Sequence, residues 1–198
     1  ADMIVNNNQI KDLILSSQFA TKEDLKLSIK TNSNNEKITD LFAGNAKPLV
    51  KKYDFIKGFE GGYLKFDSIE KNKVSNSNLK IFDFKLKEVP ALTKLLTLAS
   101  LQGIADLLTG EGIRFNEFEM IFNNKAGLMT IEEIYSLGPS ISILMDGYIQ
   151  KDDLVSLRGT LVPATTVNKV IGSIPLIGDI LVGKKAGEGV FGVSFKIK

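Results

Sequence analysis

Histidine, cysteine and tryptophan are all absent from the 198 residues, and two of these absences remove whole reaction classes. Without histidine there is no Ser-His-Asp triad and no imidazole general base. Without cysteine there is no thiolate nucleophile, disulfide or thiolate metal site, so a metal would need an all-oxygen site. The missing cysteine does not fix a compartment, because an oxidising periplasm tolerates cysteine-free proteins as readily as the cytosol does. An excess of charge is lacking too: Lys and Arg number 25 against 23 Asp and Glu, a net charge of +2. That balance carries no electrostatic footprint for nucleic acid.

Long hydrophobic runs are also missing. Ala1 to Ile10 lacks the basic start and apolar run of a signal peptide. The nearest approach to a membrane span, Val167 to Val182, is interrupted by Lys169, Pro175 and Asp179. It reads as a broken amphipathic helix. The text closes at Lys198 inside an alternating run, and the natural protein is expected to be longer at both ends.

What the chain does contain is alternation. Hydrophobic residues make up 43% and charged residues 24%, a balance that argues for a packed core and against disorder. Leu25, Leu27 and Ile29 alternate with polar neighbours, as do Leu64 with Phe66, and Phe118 with Met120 and Phe122. A period of two is the signature of a half-exposed strand. Ile141, Ile143, Met145, Gly147 and Ile149 form one face of a longer strand, and Val155, Leu157, Gly159 and Leu161 follow across Lys151-Asp152-Asp153. The two read as a hairpin. Phe191, Val193, Phe195 and Ile197 form the cleanest alternation of all. The spacing from Phe115 to Phe118 is odd, which hints at a bulge exchanging the two faces of that strand. Possible strands near Leu13 to Phe19 and Leu25 to Ile29 lie between Asn-rich turns.

Helical spacing appears in three places. Pro90 to Thr109 is apolar nearly all round, with Pro90 suited to a first turn and Gly110 to an end. Thr166 to Val182 is broken by Pro175, and Ala46 to Ile56 is short. A glycine-containing stretch follows each helix: Phe59-Glu60-Gly61-Gly62, Gly110-Glu111-Gly112, and Gly187-Glu188-Gly189. Helix, glycine turn, strand is the expected unit, because a chain leaving a helix for a sheet needs a residue that tolerates positive φ.

Acidic neighbours at Glu117 and Glu119, Glu132 and Glu133, and Asp152 and Asp153 read as solvated strand or turn positions rather than acid-base pairs. Gly178, Gly183 and Lys184 nearly spell a phosphate loop. Lys185 stands where that motif needs Ser or Thr, and the resemblance is taken as chance. Lys184 and Lys185 suit solubility, or contact with anionic headgroups.

From Leu79 to Ile197 the chain resembles the AsmA-like C-terminal region of large bacterial envelope proteins. The resemblance runs in order through Asp83-Phe84-Lys85-Leu86, Val89-Pro90-Ala91-Leu92, Leu98-Ala99-Ser100-Leu101-Gln102-Gly103, Leu107-Leu108-Thr109-Gly110-Glu111-Gly112-Ile113, Gly159-Thr160-Leu161-Val162-Pro163-Ala164, Ile174-Pro175-Leu176-Ile177-Gly178, and Gly187-Glu188-Gly189-Val190-Phe191. Ala46 to Phe66 looks similar to the preceding repeat of that family. The resemblance implies a bridge-like lipid-transfer protein of the repeating β-groove type. Such a protein is anchored in the inner membrane and extends across the periplasm of a Gram-negative cell, with phospholipid as cargo and no catalytic residues.

The expected fold is α+β and mainly β: a curved antiparallel sheet forming an open apolar groove, with two or three helices packed at its end or side. Residues 1–44 are expected to be a strand repeat continuing an upstream groove, and residues 45–198 the AsmA-like groove domain. The expected function is non-enzymatic binding of phospholipid that moves or is shielded between the two membranes. The competing reading is a periplasmic scaffold that binds proteins through open strand edges and an apolar helix. The expected lipid-binding residues are Leu64, Phe66, Phe118, Met120, Phe122, Ile141, Ile143, Met145, Leu157, Leu161, Val193 and Phe195. Phospholipid acyl chains are the expected partners, with a membrane surface or another envelope protein beside them; no metal, cofactor or nucleic acid is expected.

Overall fold

Tight turns set the architecture from one end. In the hairpin joining Gly58–Lys71 to Val74–Lys87, Lys71 pairs with Val74 and only Asn72 and Lys73 lie between, both at positive φ. This is the primed two-residue turn, whose twist matches that of the flanking strands. Ala126 and Gly127 repeat it between Ile113–Lys125 and Leu128–Leu137. In the loop before Lys37–Ala43, the side chain of Asn32 accepts hydrogen bonds from the backbone N–H of Asn34 (2.9 Å) and of Glu36 (3.0 Å).

A computed structural model of the chain describes residues 2–6, 9–50, 58–98, 106, 109–150, 154–163 and 193–197. The strands are β1 (Asp2–Asn6), β2 (Gln9–Gln18), β3 (Asp24–Thr31), β4 (Lys37–Ala43), β5 (Gly58–Lys71), β6 (Val74–Lys87), β7 (Ile113–Lys125), β8 (Leu128–Leu137), β9 (Ile141–Gln150), β10 (Val155–Pro163) and β11 (Val193–Ile197). They form one 11-stranded sheet in sequence order. Every pairing is antiparallel and joins neighbours along the chain, so the sheet is an open meander and not a barrel. The expected hairpin of Ile141–Ile149 with Val155–Leu161 is present as β9 and β10. β4 pairs with β5 from Lys37↔Glu70 to Ala43↔Leu64, so the sheet runs without a break past residue 45.

The helices share the end of the sheet opposite the tight turns. α1 (Lys47–Val50) joins β4 to β5, and α2 (Pro90–Leu98) joins β6 to β7. The rest of the expected helix beyond Leu98, apart from Asp106 and Thr109, lies outside the described residues, as do the expected helix Thr166–Val182, the turn Asp152-Asp153 and the Gly187-Glu188-Gly189 copy. No helix among the described residues is long and apolar enough to cross a membrane.

One departure from the sequence reading fixes the shape of the centre. Gly61 and Gly62 do not end a helix; they lie inside β5 at φ +70° and +78°. Tyr63 pairs with Phe82 and Gly61 with Phe84, so the ladder is interrupted at Gly62 and Asp83 without a change of register. The next pair of strands does the same: Phe82 meets Glu117 and Phe84 meets Phe115, with the register kept across Asp83 and Asn116. No residue is inserted in any of the three strands, so the exchange of faces that the Phe115–Phe118 spacing hinted at comes from a shared kink, with Gly62 and Asp83 at positive φ, and not from the expected bulge. It lets Phe84 and Ile81 join the same buried cluster despite their odd spacing. Phe84 then stacks on Phe59 at 5.3 Å and on Phe115 at 5.4 Å between ring centroids. Ile113, Ile141, Leu96 of α2, Val50 of α1 and Ala46 complete this part of the core.

Candidate functional site

Directly paired residues in an antiparallel sheet stand on the same face, so the register can be followed across all the strands. One line runs Leu15–Leu27–Leu41–Phe66–Leu79–Met120–Ile134–Met145–Gly159, from β2 to β10, without a polar side chain. A second, toward the helices, runs Leu25–Ala43–Leu64–Ile81–Phe118–Ser136–Ile143–Leu161. A third, toward the tight turns, runs Leu13–Ile29–Thr39–Ser68–Ser77–Phe122–Ile131–Gly147–Leu157. The three lines make one apolar stripe perpendicular to the strands. At the usual strand spacing it is roughly 40 Å long.

Burial grades across the stripe. In the line nearest the helices Ala43, Leu64, Ile81, Ile143 and Leu161 are buried. In the middle line Leu15, Leu27, Leu41, Phe66, Leu79, Met120 and Met145 are only partly buried while Ile134 is buried, and in the third line Ser68, Ser77 and Ile131 are buried among partly open neighbours. The sheet therefore holds a closed core at one end of its strands and a partly open apolar surface beside it.

The sequence-derived site residues from Leu64 to Leu161 fall on this one face. Leu64, Phe118, Ile143 and Leu161 lie in the line nearest the helices, with Ile141 one step further toward them; Phe66, Met120 and Met145 lie in the middle line, and Phe122 and Leu157 in the third. In register, Val193 pairs with Leu161 and Phe195 with Gly159, so both backbone positions continue the lines. Ile141, Leu64, Ile143 and Leu161 belong to the buried core rather than to open surface. Sequence reading missed Leu79 and Ile81 of β6 and Ile131 and Ile134 of β8, and it named no site residue in β2 to β4, although residues 1–44 were expected to continue the groove. The alternation of Leu79 and Ile81 with Asn78 and Lys80 was a usable signal. In β8 the signal is broken by a bulge, where Phe122 pairs with Ile131 but Ile121 with Glu133.

No family model, no curated protein and no solved structure matches the chain. What the site can do therefore rests on its own residues.

The opposite face is polar and cross-braced. Glu119 is buried there rather than solvated: Lys80 Nζ lies 3.0 Å from its Oε1, and Asn78 Nδ2 donates to the same oxygen at 2.6 Å. Tyr135 donates its hydroxyl to Glu117 Oε1 at 2.9 Å. Burial alone would raise the Glu119 carboxyl, but hydrogen bonds from Lys80, Asn78 and Tyr135 hold it below its ordinary value. The Tyr135 hydroxyl moves up, through burial and then its hydrogen bonds to Glu119 and Glu117. Asp67 also moves up, through burial and then the like charge of Asp40, which it faces directly across β4 and β5.

A shallow cavity of about 460 Å³ is lined by Ser16, Lys26, Phe42 and Lys65 on one side and Ile14, Ser28, Asp40 and Asp67 on the other, with Leu15, Leu27, Leu41 and Phe66 between. The flanking residues are those of the polar face, so this hollow lies behind the apolar stripe and is no part of it. Among the described residues no group of three or more acidic side chains could hold a metal ion. The phosphate-loop-like Gly178, Gly183 and Lys184, and the pair Lys184 and Lys185, lie outside the described residues.

Proposed function

We propose that the apolar stripe is an open groove for the acyl chains of phospholipid, and that the chain is a non-enzymatic groove segment of a bacterial envelope protein that moves or shields lipid between inner and outer membranes. The carrying observation is the middle line, Leu15 to Gly159, which crosses nine strands without a polar side chain and is partly open from Leu15 to Met120 and at Met145. In this reading the sheet curves about the stripe, and α1 and α2 close its end where Val50 and Leu96 are buried. A hydrocarbon chain needs no directional chemistry from its host. Ten methylenes laid along the stripe contribute roughly 8 kcal/mol before the cost of ordering them. The resemblance of residues 79–197 to AsmA-like regions supports the same reading and supplies its envelope setting, periplasmic in a protein anchored in the inner membrane.

The test is lipid carriage by the purified chain, read by mass spectrometry and by crosslinking to a photoreactive phospholipid. Met145→Leu should leave both unchanged, because the swap conserves apolar volume. Met145→Asp and Met120→Asp should abolish crosslinking while the circular dichroism melting curve stays cooperative. Absence of lipid from the wild-type chain, with no effect of either charge, would end the proposal.

A second reading is favoured by the β1 edge. Met3 and Ile4 are each 59% exposed and Ile14 is 49% exposed, and Met3 stands on the opposite face of the sheet from Ile4. An edge that is apolar on both faces suits strand addition by a partner in a scaffold. It predicts protein capture that is lost with Ile4→Lys and unaffected by removal of lipid.

A further inference from the structure

Apart from Ser136 in the line nearest the helices, the apolar stripe is interrupted in its third line, and that interruption is built from facing residues. In the third line Thr39, Ser68 and Ser77 stand side by side on β4, β5 and β6, between Ile29 and Phe122. One step toward the tight turns, Lys37 pairs in register with Glu70, and Glu70 with Ser75. The Lys37 Nζ and Glu70 Oε2 atoms lie 3.4 Å apart, and both side chains are open to water by more than two fifths. Ser68 and Ser77 are buried and share one hydrogen bond of 2.8 Å between their hydroxyls. A hydroxyl pair linked this way uses one proton, leaving a second donor and spare acceptor capacity. The polar rim of the sheet thus dips into the apolar stripe across three strands, beside Phe66 and Leu79 of the middle line.

We infer that this notch seats the polar head of the amphiphile whose chains lie on the stripe, and that it favours a zwitterionic head bearing both a phosphate and an ammonium group. The inference rests on the groove reading and adds the headgroup class to it. A cation and an anion side by side match a phosphate and an ammonium a few ångströms apart, with Lys37 facing the first and Glu70 the second. An anionic head of the glycerol type would meet Glu70 with nothing to offset it. The partly open hydroxyl of Thr39 supplies a partner for the glycerol and ester oxygens, which otherwise enter an apolar surface unsatisfied. The neighbouring pair Lys71 and Glu36, 3.0 Å apart at the same end of the sheet, has no such dip beside it and serves as the control.

The experiment loads the whole chain from mixed micelles holding equal amounts of phosphatidylethanolamine and phosphatidylglycerol with identical acyl chains, and reads the ratio of bound lipids by mass spectrometry. The wild type should prefer phosphatidylethanolamine by about two- to fivefold, the range set by one exposed ion pair. Glu70→Gln should reverse the order in favour of phosphatidylglycerol, and Thr39→Val should lower the amount of both lipids retained without changing their ratio. Glu36→Gln should leave the ratio at its wild-type value. Bound lipid at a ratio that none of these changes alters, or that Glu36→Gln alters as much as Glu70→Gln, overturns the headgroup notch and leaves the groove standing. Bound lipid in neither class removes the groove reading together with the notch.

Discussion

The rings of Phe66 and Phe122 lie 6.5 Å apart between centroids, with an interplanar angle of 28°, although their strands are not neighbours. β6 runs between β5 and β7, and there Leu79 faces Phe66 and Ser77 faces Phe122. The two rings therefore reach toward each other over β6, narrowing the stripe at its middle and covering Ser77, which is buried although it lies in a partly open line.

This bridge predicts a separation of stability from binding. Phe66→Leu and Phe122→Leu keep the face apolar and widen the stripe, and each should cost about 1 kcal/mol or less in chemical denaturation. Accessibility of Ser77 should rise in both, which hydrogen exchange of the neighbouring β6 amides would register as faster exchange. Unchanged exchange in both variants would mean that the rings do not cover the strand.

The packed end of the sheet should respond differently. Phe115 is 1% exposed and stacks on Phe84 within the cluster that includes Leu96 and Ile113. Phe115→Ala removes a fully enclosed ring and should cost about 3–5 kcal/mol, a substantial part of the stability of a domain. The midpoint of urea unfolding measures it. A loss under 1 kcal/mol would show that this end is not the closed core.

Gly62 holds the irregularity that unites the two parts of that core. At φ +78° a side chain is disfavoured, and an added Cβ would stand 2.9 Å from Phe84 Cβ and 3.0 Å from the carbonyl oxygen of Phe82. Gly62→Ala should cost about 1–3 kcal/mol, the range for a non-glycine residue held in a sparsely populated conformation. Gly110→Ala, where the nearest atom is the Asp106 carbonyl oxygen at 3.2 Å and φ is not positive, should cost less. The thermal midpoints of the two variants make the comparison.

The sheet was legible wherever both faces kept their chemistry. Met120 and Phe122 against Glu119, or Ile143 and Met145 against Ser142, declare their side by period alone, and the site residues chosen that way between Leu64 and Leu161 fell on one face. Reading failed where the backbone departed from period two. Gly61 and Gly62 were taken for the end of a helix, since positive φ is equally useful in a turn and at a kink within a strand. Ile131 and Ile134 were passed over because the bulge at Glu132 and Glu133 spaces them by three. Glu119 was assigned to solvent because a sequence shows that a carboxylate sits on a polar face, but not that Lys80 and Asn78 converge on it. The burial gradient that makes the stripe a candidate groove depends on where the helices close the sheet, which no local pattern encodes.

The polar face should give stability a pH dependence of two opposite signs. Glu119 has a lowered value in the fold, so its contribution is present above the ordinary 4.5 and is lost as pH falls through the folded value. Asp67 has a raised value, so stability is greatest below the ordinary 3.8 and declines as pH rises through the folded value. Glu119→Gln should therefore flatten the acid side of the stability profile. Lys80→Met should cost more than Glu119→Gln at neutral pH, because it leaves a buried carboxylate with its charge uncompensated. Asp67→Asn removes the partial desolvation of that carboxylate and its repulsion from Asp40, and should stabilise the fold at neutral pH by a small amount, since both residues remain largely open to solvent and are screened. Urea midpoints taken between pH 3 and pH 7 separate the two residues: opposite slopes are expected from the two variants, and equal slopes would show that neither carboxylate is held as its neighbours imply.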